Sequence, residues 1–271
     1  MKVAAAGVDL HVEVTGPAAA PILVLLHAFP LTGAMWSSQV EALAANWRIV
    51  VPDFRGFGQS GVGDGQYTID FFVDDLFAVL DATTRRAGEP VVACGLSMGG
   101  YVLLRAVERE PARFRGLILS DTRSGADENE AKLKRVGAIR ALKEKGAAAY
   151  GQGFAEGALG KTTQQSRPDV VKRIQTMVQK NQVAGMVGGQ LAMAARTDTG
   201  AALSKISTPT LVVVGAEDTL TPPEASREMA GRIPGARLEV IPGAGHLPAL
   251  EATEVFNRVL KDFLEPALLA L

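Results

Sequence analysis

The sequence predicts an α/β fold, a mostly parallel, doubly wound sheet with a helical insertion late in the chain. Three observations carry this expectation. Short apolar runs alternate with segments of helical spacing from Pro21 to Ser120, and such quick alternation implies right-handed parallel crossovers. From Gly125 to about Lys205 no strand-like run occurs. At Thr210 the alternation resumes. The chain is therefore expected to divide into a first core segment (1–124), a helical insertion (125–205) and a second core segment (206–271).

Taken in order, Lys2–Ala6 and Val8–Thr15 alternate apolar and polar residues around Gly7, the pattern of an antiparallel hairpin with one wet face. Pro21–Leu26 is continuously apolar, as a strand buried on both faces should be. Met35–Ala45 reads as a helix and Trp47–Pro52 as another buried strand. A glycine-rich loop, Pro52 to Gly61, leads to helical spacing at Phe72, Leu76, Val79 and Leu80 within Tyr67–Thr84. Val91–Gly95 is a strand, Met98 to about Glu110 a helix stopped by Pro111, and Phe114–Ser120 the next strand, reaching Asp121. In the insertion, Leu133, Val136, Ile139 and Leu142 share one helical spacing and Val170–Val178 another. Gly146, Gly151, Gly153, Gly157 and Gly160 are expected to cut the segment into pieces. Thr210–Gly215 and Arg237–Ile241 read as the last strands, Pro222–Ile233 and Pro248 to about Leu264 as the last helices.

With 271 residues the chain is long enough for one large domain, or a core plus an insertion. Its 28 Lys and Arg against 29 Asp and Glu give a net charge of −1, which offers no attraction for nucleic acid or an anionic membrane surface. The one cysteine, Cys94, excludes an intramolecular disulfide and a cysteine zinc site; inside a strand it reads as a small buried hydrophobe. No apolar run approaches the roughly 20 residues that span a bilayer, and Met1–Ala6 lacks a signal-peptide pattern. A soluble, cytoplasmic protein is expected. Nothing in the pattern specifies an oligomeric state.

The stretch from Val91 to Tyr101 holds the first chemical signal. An apolar run stops at Gly95 and a helix begins directly after Ser97, with Gly99 and Gly100 behind it. A serine at such a junction fits a strand-to-helix turn so tight that only small neighbours are accommodated. The turn would lift the Ser97 hydroxyl clear of the backbone and aim the first helical amides at the same point, where they stabilise negative charge.

Several further motifs stand in a telling order: His27-Ala28-Phe29-Pro30, Pro52-Asp53-Phe54-Arg55-Gly56-Phe57-Gly58-Gln59-Ser60, Gly95-Leu96-Ser97-Met98-Gly99-Gly100, Gly215-Ala216-Glu217-Asp218 and Gly243-Ala244-Gly245-His246. Through them the sequence resembles the α/β-hydrolase superfamily over nearly its whole length outside the insertion. Within that superfamily it is similar to the small bacterial esterases and lactonases that include 3-oxoadipate enol-lactonase, most closely in Leu119–Thr122 and from Met193 onward. The resemblance implies the α/β-hydrolase fold with the insertion as a helical cap.

A serine hydroxyl is a poor nucleophile at neutral pH and needs a base within hydrogen-bond reach. Of the three histidines, only His246 lies in a loop just after the final strand, where parallel sheets place functional loops. The imidazole in turn needs a carboxylate to fix its tautomer. Asp218 completes the order Ser, Asp, His, and the family motif favours it over the adjacent Glu217. Asp121 is a second rival, since some members of the superfamily supply the acid from that position. Asp53 and Arg55 read as an ion pair bracing their loop. The backbone amide of Met98 is one oxyanion donor. The resemblance assigns the other to Phe29, although Ala28 replaces the glycine usual in that motif. His27 reads as a brace for that loop, and the resemblance makes Phe29-Pro30 a candidate cis peptide.

Phe29, Trp36, Tyr150, Phe154, Met177, Met186, Met193 and Leu247 are candidates for an apolar substrate pocket, in which methionine tolerates varied shapes. Arg123, Lys161 and Arg196 are candidate cations for an acidic substrate. The expected activity is hydrolysis of small-molecule carboxylic esters or lactones by Ser97, Asp218 and His246, with water as co-substrate and neither cofactor nor metal. Perhydrolase or haloperoxidase chemistry, carbon–carbon bond hydrolysis and a ligand-binding receptor on the same fold stay open as alternatives. Serine at 97 speaks against dehalogenases and epoxide hydrolases, whose families place aspartate there.

Overall fold

A computed structural model describes residues 1–269. Strands β1 (Lys2–Ala5) and β2 (Val8–Thr15) form the hairpin that the alternation predicts, with Ala5 opposite Val8. The two turn residues, Ala6 and Gly7, both take positive φ (38° and 82°), as a two-residue primed turn requires. Strand β3 (Ile22–Leu26) is buried throughout. The expected Met35 helix is instead a 3₁₀ turn (Gly33–Trp36) followed by α1 (Ser37–Leu43). The difference arises at Trp36, whose φ −86° and ψ 4° leave α geometry. Next come β4 (Arg48–Pro52), α2 (Ile69–Thr83), β5 (Val91–Leu96), α3 (Met98–Arg109) and β6 (Phe114–Ser120). The Thr68 hydroxyl accepts from Phe71 N at 3.2 Å and caps α2. Cys94 is buried in β5, and that burial pushes its thiol pKa up.

Between β6 and β7 lie four helices, α4 (Asn129–Ala158), α5 (Lys161–Ser166), α6 (Pro168–Gln179) and α7 (Val183–Ala194). The second core segment supplies β7 (Thr210–Gly215), α8 (Pro223–Arg232), β8 (Arg237–Ile241), α9 (Pro248–Glu251) and α10 (Thr253–Leu269). The sheet runs β1-β2-β4-β3-β5-β6-β7-β8. It is parallel from β4 through β8 and antiparallel at the β1-β2 and β2-β4 pairs.

This order places a topological switch at the centre. The chain steps from β3 outward to β4, then returns past β3 to β5. Right-handed crossovers therefore send α1 to one face of the sheet and α2 and α3 to the other. The loops after β3 and β5 part there, and a crevice opens between them at the carboxyl edge. The four-helix insertion rests on that edge. Asn181 bridges two of its loops, donating to Pro30 O at 2.7 Å and accepting from Gly58 N at 2.8 Å.

Three expectations need correction. Of the five glycines expected to break the insertion, Gly146 interrupts α4, at φ 77° and ψ 176°, and Gly160 lies at the break between α4 and α5. Gly151, Gly153 and Gly157 continue the helix, because packing against α6 and α7 outweighs a propensity cost of about 1 kcal/mol per glycine. The apolar spacing in α4 does not mark its buried face: Leu142 is buried, whereas Leu133 is 70% and Val136 50% exposed. Finally, Arg55 does not pair with Asp53. It reaches Asp75 on α2 with both arms, Nε to Oδ2 at 2.6 Å and Nη2 to Oδ1 at 2.5 Å. Asp53 instead accepts from Gly33 N at 2.8 Å and Gln59 N at 2.9 Å.

The Arg55 and Asp75 side chains are only 6% and 3% exposed, so neither charge can be left alone cheaply. Asp75→Asn should cost about 3–5 kcal/mol by stranding a buried guanidinium, measured as a lowered midpoint in urea unfolding; a loss under about 1 kcal/mol would show that the pair contributes little.

Candidate active site

Ser97 stands between β5 and α3 with φ 54° and ψ −112°, a region that L-residues rarely adopt. Steric crowding explains its glycine neighbours. A Cβ on Gly95 would lie 2.3 Å from Gly99 O, and one on Gly99 2.4 Å from Leu26 O. The strained turn is pinned by Ser97 N donating to Ser120 O and Thr122 Oγ1 donating to Ser97 O, each at 2.9 Å. Among the described residues the Ser97 hydroxyl has no protein hydrogen-bond partner, and it opens on a cavity that His246 also lines.

His246 is held from behind. Its Nδ1 lies 2.8 Å from Asp218 Oδ2, with both side chains buried. Thr221 Oγ1 donates to the same carboxylate oxygen at 2.6 Å, and Leu220 N and Thr221 N donate to Oδ1 at 2.8 and 3.1 Å. Burial works against the Asp218 charge, but the charge and hydrogen bond of His246, joined by Thr221, hold its pKa below the ordinary value. An Nδ1–H directed at Asp218 leaves Nε2 as the basic nitrogen.

The two rival acids fall differently. Glu217 turns to the insertion and accepts from Thr162 N at 3.1 Å and Thr162 Oγ1 at 2.6 Å. Asp121 is wholly buried, with φ 45°, and accepts from Gly215 N at 2.9 Å and Ser120 Oγ at 2.6 Å. Burial, and then the neighbouring Asp218 charge, push its pKa well above the usual range. Ligand-type atoms of Asp121, Asp218 and His246 lie within 4.8 Å of one another. This is the cluster in the described residues that could hold a metal, but each member is already engaged by the hydrogen bonds above. The group reads as an ordered hydrogen-bond network around the Asp218 carboxylate.

The amides of Phe29 and Met98 have no backbone or side-chain acceptor among the described loop and cap hydrogen bonds. The Phe29-Pro30 peptide is cis. His27 ties the loop down: Nδ1 is 3.0 Å from Ala28 O and Nε2 accepts from Phe54 N at 3.0 Å. Burial lowers its pKa, which suits a neutral ring in this bonding pattern.

The cavity above Ser97 measures about 440 Å³. Phe29, Tyr150, Phe154 and Met193 line it, together with Tyr101, Gln190, Leu220 and Thr221. Four pocket candidates lie elsewhere. Trp36 packs on Phe256 with ring centroids 6.1 Å apart, Met186 and Leu247 are in the core, and Met177 faces a separate groove. That groove is larger, about 950 Å³, but contains none of Ser97, Asp218 or His246, so its size carries no chemistry. Of the cations, Arg123 lines the 440 Å³ cavity and Lys161 does not. Arg196 is buried over the Tyr101 ring at 4.2 Å. Arg135 and Lys134 line the cavity too; an exposed-looking basic stretch in α4 offered no sequence signal for either. Buried Asp127 holds Arg123 at 2.9 Å and Arg196 at 2.6 Å, and also pairs with Arg135.

A crevice at the switch point, a serine on a strained turn and a histidine oriented by a buried carboxylate together define a hydrolase-type arrangement. Residues 21–253 match the family model described as alpha/beta hydrolase fold, and the chain belongs to that family. Its similarity extends to a thermophilic esterase from Thermogutta terrifontis, solved with malate bound, at 34% identity, 98% of each chain and a TM-score of 0.91. It is 28% identical to 3-oxoadipate enol-lactonase 1 of Acinetobacter baylyi over 96% of this chain and 94% of that protein. It is also 28% identical to a pimeloyl-[acyl-carrier protein] methyl ester esterase of Neisseria meningitidis, over 93% of this chain and 96% of the relative.

The proton on Asp121 has a thermodynamic signature. Unfolded, its carboxyl ionises around pH 3.9, whereas the raised pKa of the folded carboxyl delays ionisation to higher pH. The folded state thus binds more protons, and stability falls with rising pH by up to about 1.4 kcal/mol per unit until the folded carboxyl ionises. Asp121→Asn removes this term. The Tm difference, variant minus wild type, should grow from pH 5 to pH 8; a difference independent of pH would mean that Asp121 is ionised in the fold.

Proposed function

We propose that the protein hydrolyses carboxylic esters or lactones of small molecules through an acyl-enzyme on Ser97. The observation that carries this reading is the 2.8 Å contact of His246 Nδ1 with buried Asp218, in a site whose cavity also receives Ser97. Nε2 of His246 takes the Ser97 proton as Oγ attacks the carbonyl carbon. Asp218 stabilises the imidazolium that forms. The tetrahedral oxyanion lies against the Phe29 and Met98 amides, where preorganised donors act most strongly. His246 then protonates the departing alkoxide. Water, deprotonated by the same nitrogen, attacks the acyl group and returns Ser97.

The insertion, 125–205, acts in this reading as a cap that selects the substrate. It contributes Arg135, Tyr150, Phe154, Gln190 and Met193 to the cavity wall. Three guanidiniums share the single carboxylate of Asp127; two of them, Arg123 and Arg135, line the cavity, whereas Arg196 does not. Such a wall favours acyl groups that bear a carboxylate. The names of the esterase and lactonase relatives support the reaction class.

On p-nitrophenyl butyrate, Ser97→Ala should lower kcat/KM by about 10⁴-fold or more, and Asp218→Asn by about 10³- to 10⁴-fold. Asp121→Asn should stay within about tenfold of wild type. Retained activity in Ser97→Ala would sink the mechanism, and an active Asp218→Asn beside an inactive Asp121→Asn would transfer the acid's role. Esters of matched length with neutral and anionic acyl chains, compared by kcat/KM, test the charge preference.

A further inference from the structure

Glu251, at the end of α9, has a carboxylate with no cation partner among the described residues, although the residue is only 6% exposed. It is satisfied by three backbone amides instead. Oε1 accepts from Gly245 N at 3.0 Å and Leu247 N at 2.9 Å, the residues on either side of His246. Oε2 accepts from Gly160 N at 2.8 Å, at the junction of α4 and α5. His246 N itself donates to Ala158 O at 2.8 Å. The same junction reaches the acid loop, since Thr162 binds Glu217, one residue before Asp218. Contact between the two backbones is close: a Cβ on Gly245 would lie 2.2 Å from Gly160 N.

We infer that Glu251 is a positioning residue for His246, gripping the peptide on both sides of the base and fastening it to the insertion through Gly160. The inference rests on the reading of His246 as the base for Ser97. A buried carboxylate is costly unless fully hydrogen-bonded, and one whose donors are all backbone amides of three separate loop positions is suited to setting backbone geometry. A carboxylate used only to stabilise the fold would need no correspondence with the residues flanking the base. Here both flanking amides share a single oxygen, which makes the placement of the imidazole depend on the reach of that side chain.

Two substitutions separate reach from charge. Glu251→Gln keeps the reach: its single carbonyl oxygen can still accept from Gly245 and Leu247, while its NH2 faces the Gly160 N–H, donor against donor, and must turn off it. Glu251→Asp keeps the charge but draws the carboxylate back by one methylene. The expected result is a kcat within about threefold of wild type for Glu251→Gln. For Glu251→Asp, kcat should fall about 10- to 100-fold at a KM within about twofold, since misplacing a catalytic group by about 1 Å costs rates of this order. Phosphonylation of Ser97 by a fluorophosphonate should slow by the same factor. The downfield proton resonance of His246 Nδ1–H should persist in Glu251→Gln and broaden or vanish in Glu251→Asp. The reverse order of kcat would overturn the inference, as would equal kcat in both variants with changes confined to Tm. Failure of the wild type to turn over esters or to be phosphonylated at Ser97 would count against the hydrolase reading instead, and the proton resonance in the same three proteins would still decide the role of Glu251.

Discussion

A carboxylate in a water-poor interior stays ionised only where donors surround it, and Asp218 at the candidate site meets that condition. Its oxygens receive two amides, a hydroxyl and an imidazole. That concentration of donors decides the other protonation states nearby. His246 is turned so that one nitrogen serves the carboxylate and the other is free. Asp121, wholly buried, close to that negative charge and served by fewer donors, has its pKa pushed well up. Glu217, one residue earlier on the same loop, is directed out of the network toward Thr162.

The sheet brings these groups to one place. β7 and β8 are parallel neighbours, so the loops that follow them lie side by side, and the loops after β3 and β5 part at the switch point. Strain at Ser97, of order 1–3 kcal/mol for such a backbone, is sustained because β6 and the Thr122 hydroxyl fix both ends of its peptide. The order of strands thus supplies position, and local hydrogen bonds supply aim.

Much of this was legible in the chain because burial on two faces leaves a continuous apolar run, as at Ile22–Leu26 and Thr210–Gly215. The serine turn was legible for a steric reason, since only glycine tolerates the contacts at positions 95 and 99. What escaped was set by distant packing. Arg55 had an acidic neighbour two residues away but found its partner 20 residues on, across α2. The rotation of α4 about its axis, which exposes Leu133 and turns Arg135 inward, depends on α6 and α7 rather than on its own spacing. The three amides on Glu251 carry no side-chain pattern at all.

The break at Gly146 divides α4 into two pieces with different attachments. The piece before it brings Lys134 and Arg135 to the cavity wall, and the piece after it ends at Ala158, bonded to the His246 peptide. A recombinant exchange of residues 129–145 with the matching stretch of a relative would therefore alter the Lys134 and Arg135 part of the cavity wall and leave Tyr150, Phe154 and the Ala158 bond to the His246 peptide in place. On the proposed reading of this cavity as the substrate site, the break separates the stretch that carries Lys134 and Arg135 from the stretch bonded to the His246 peptide.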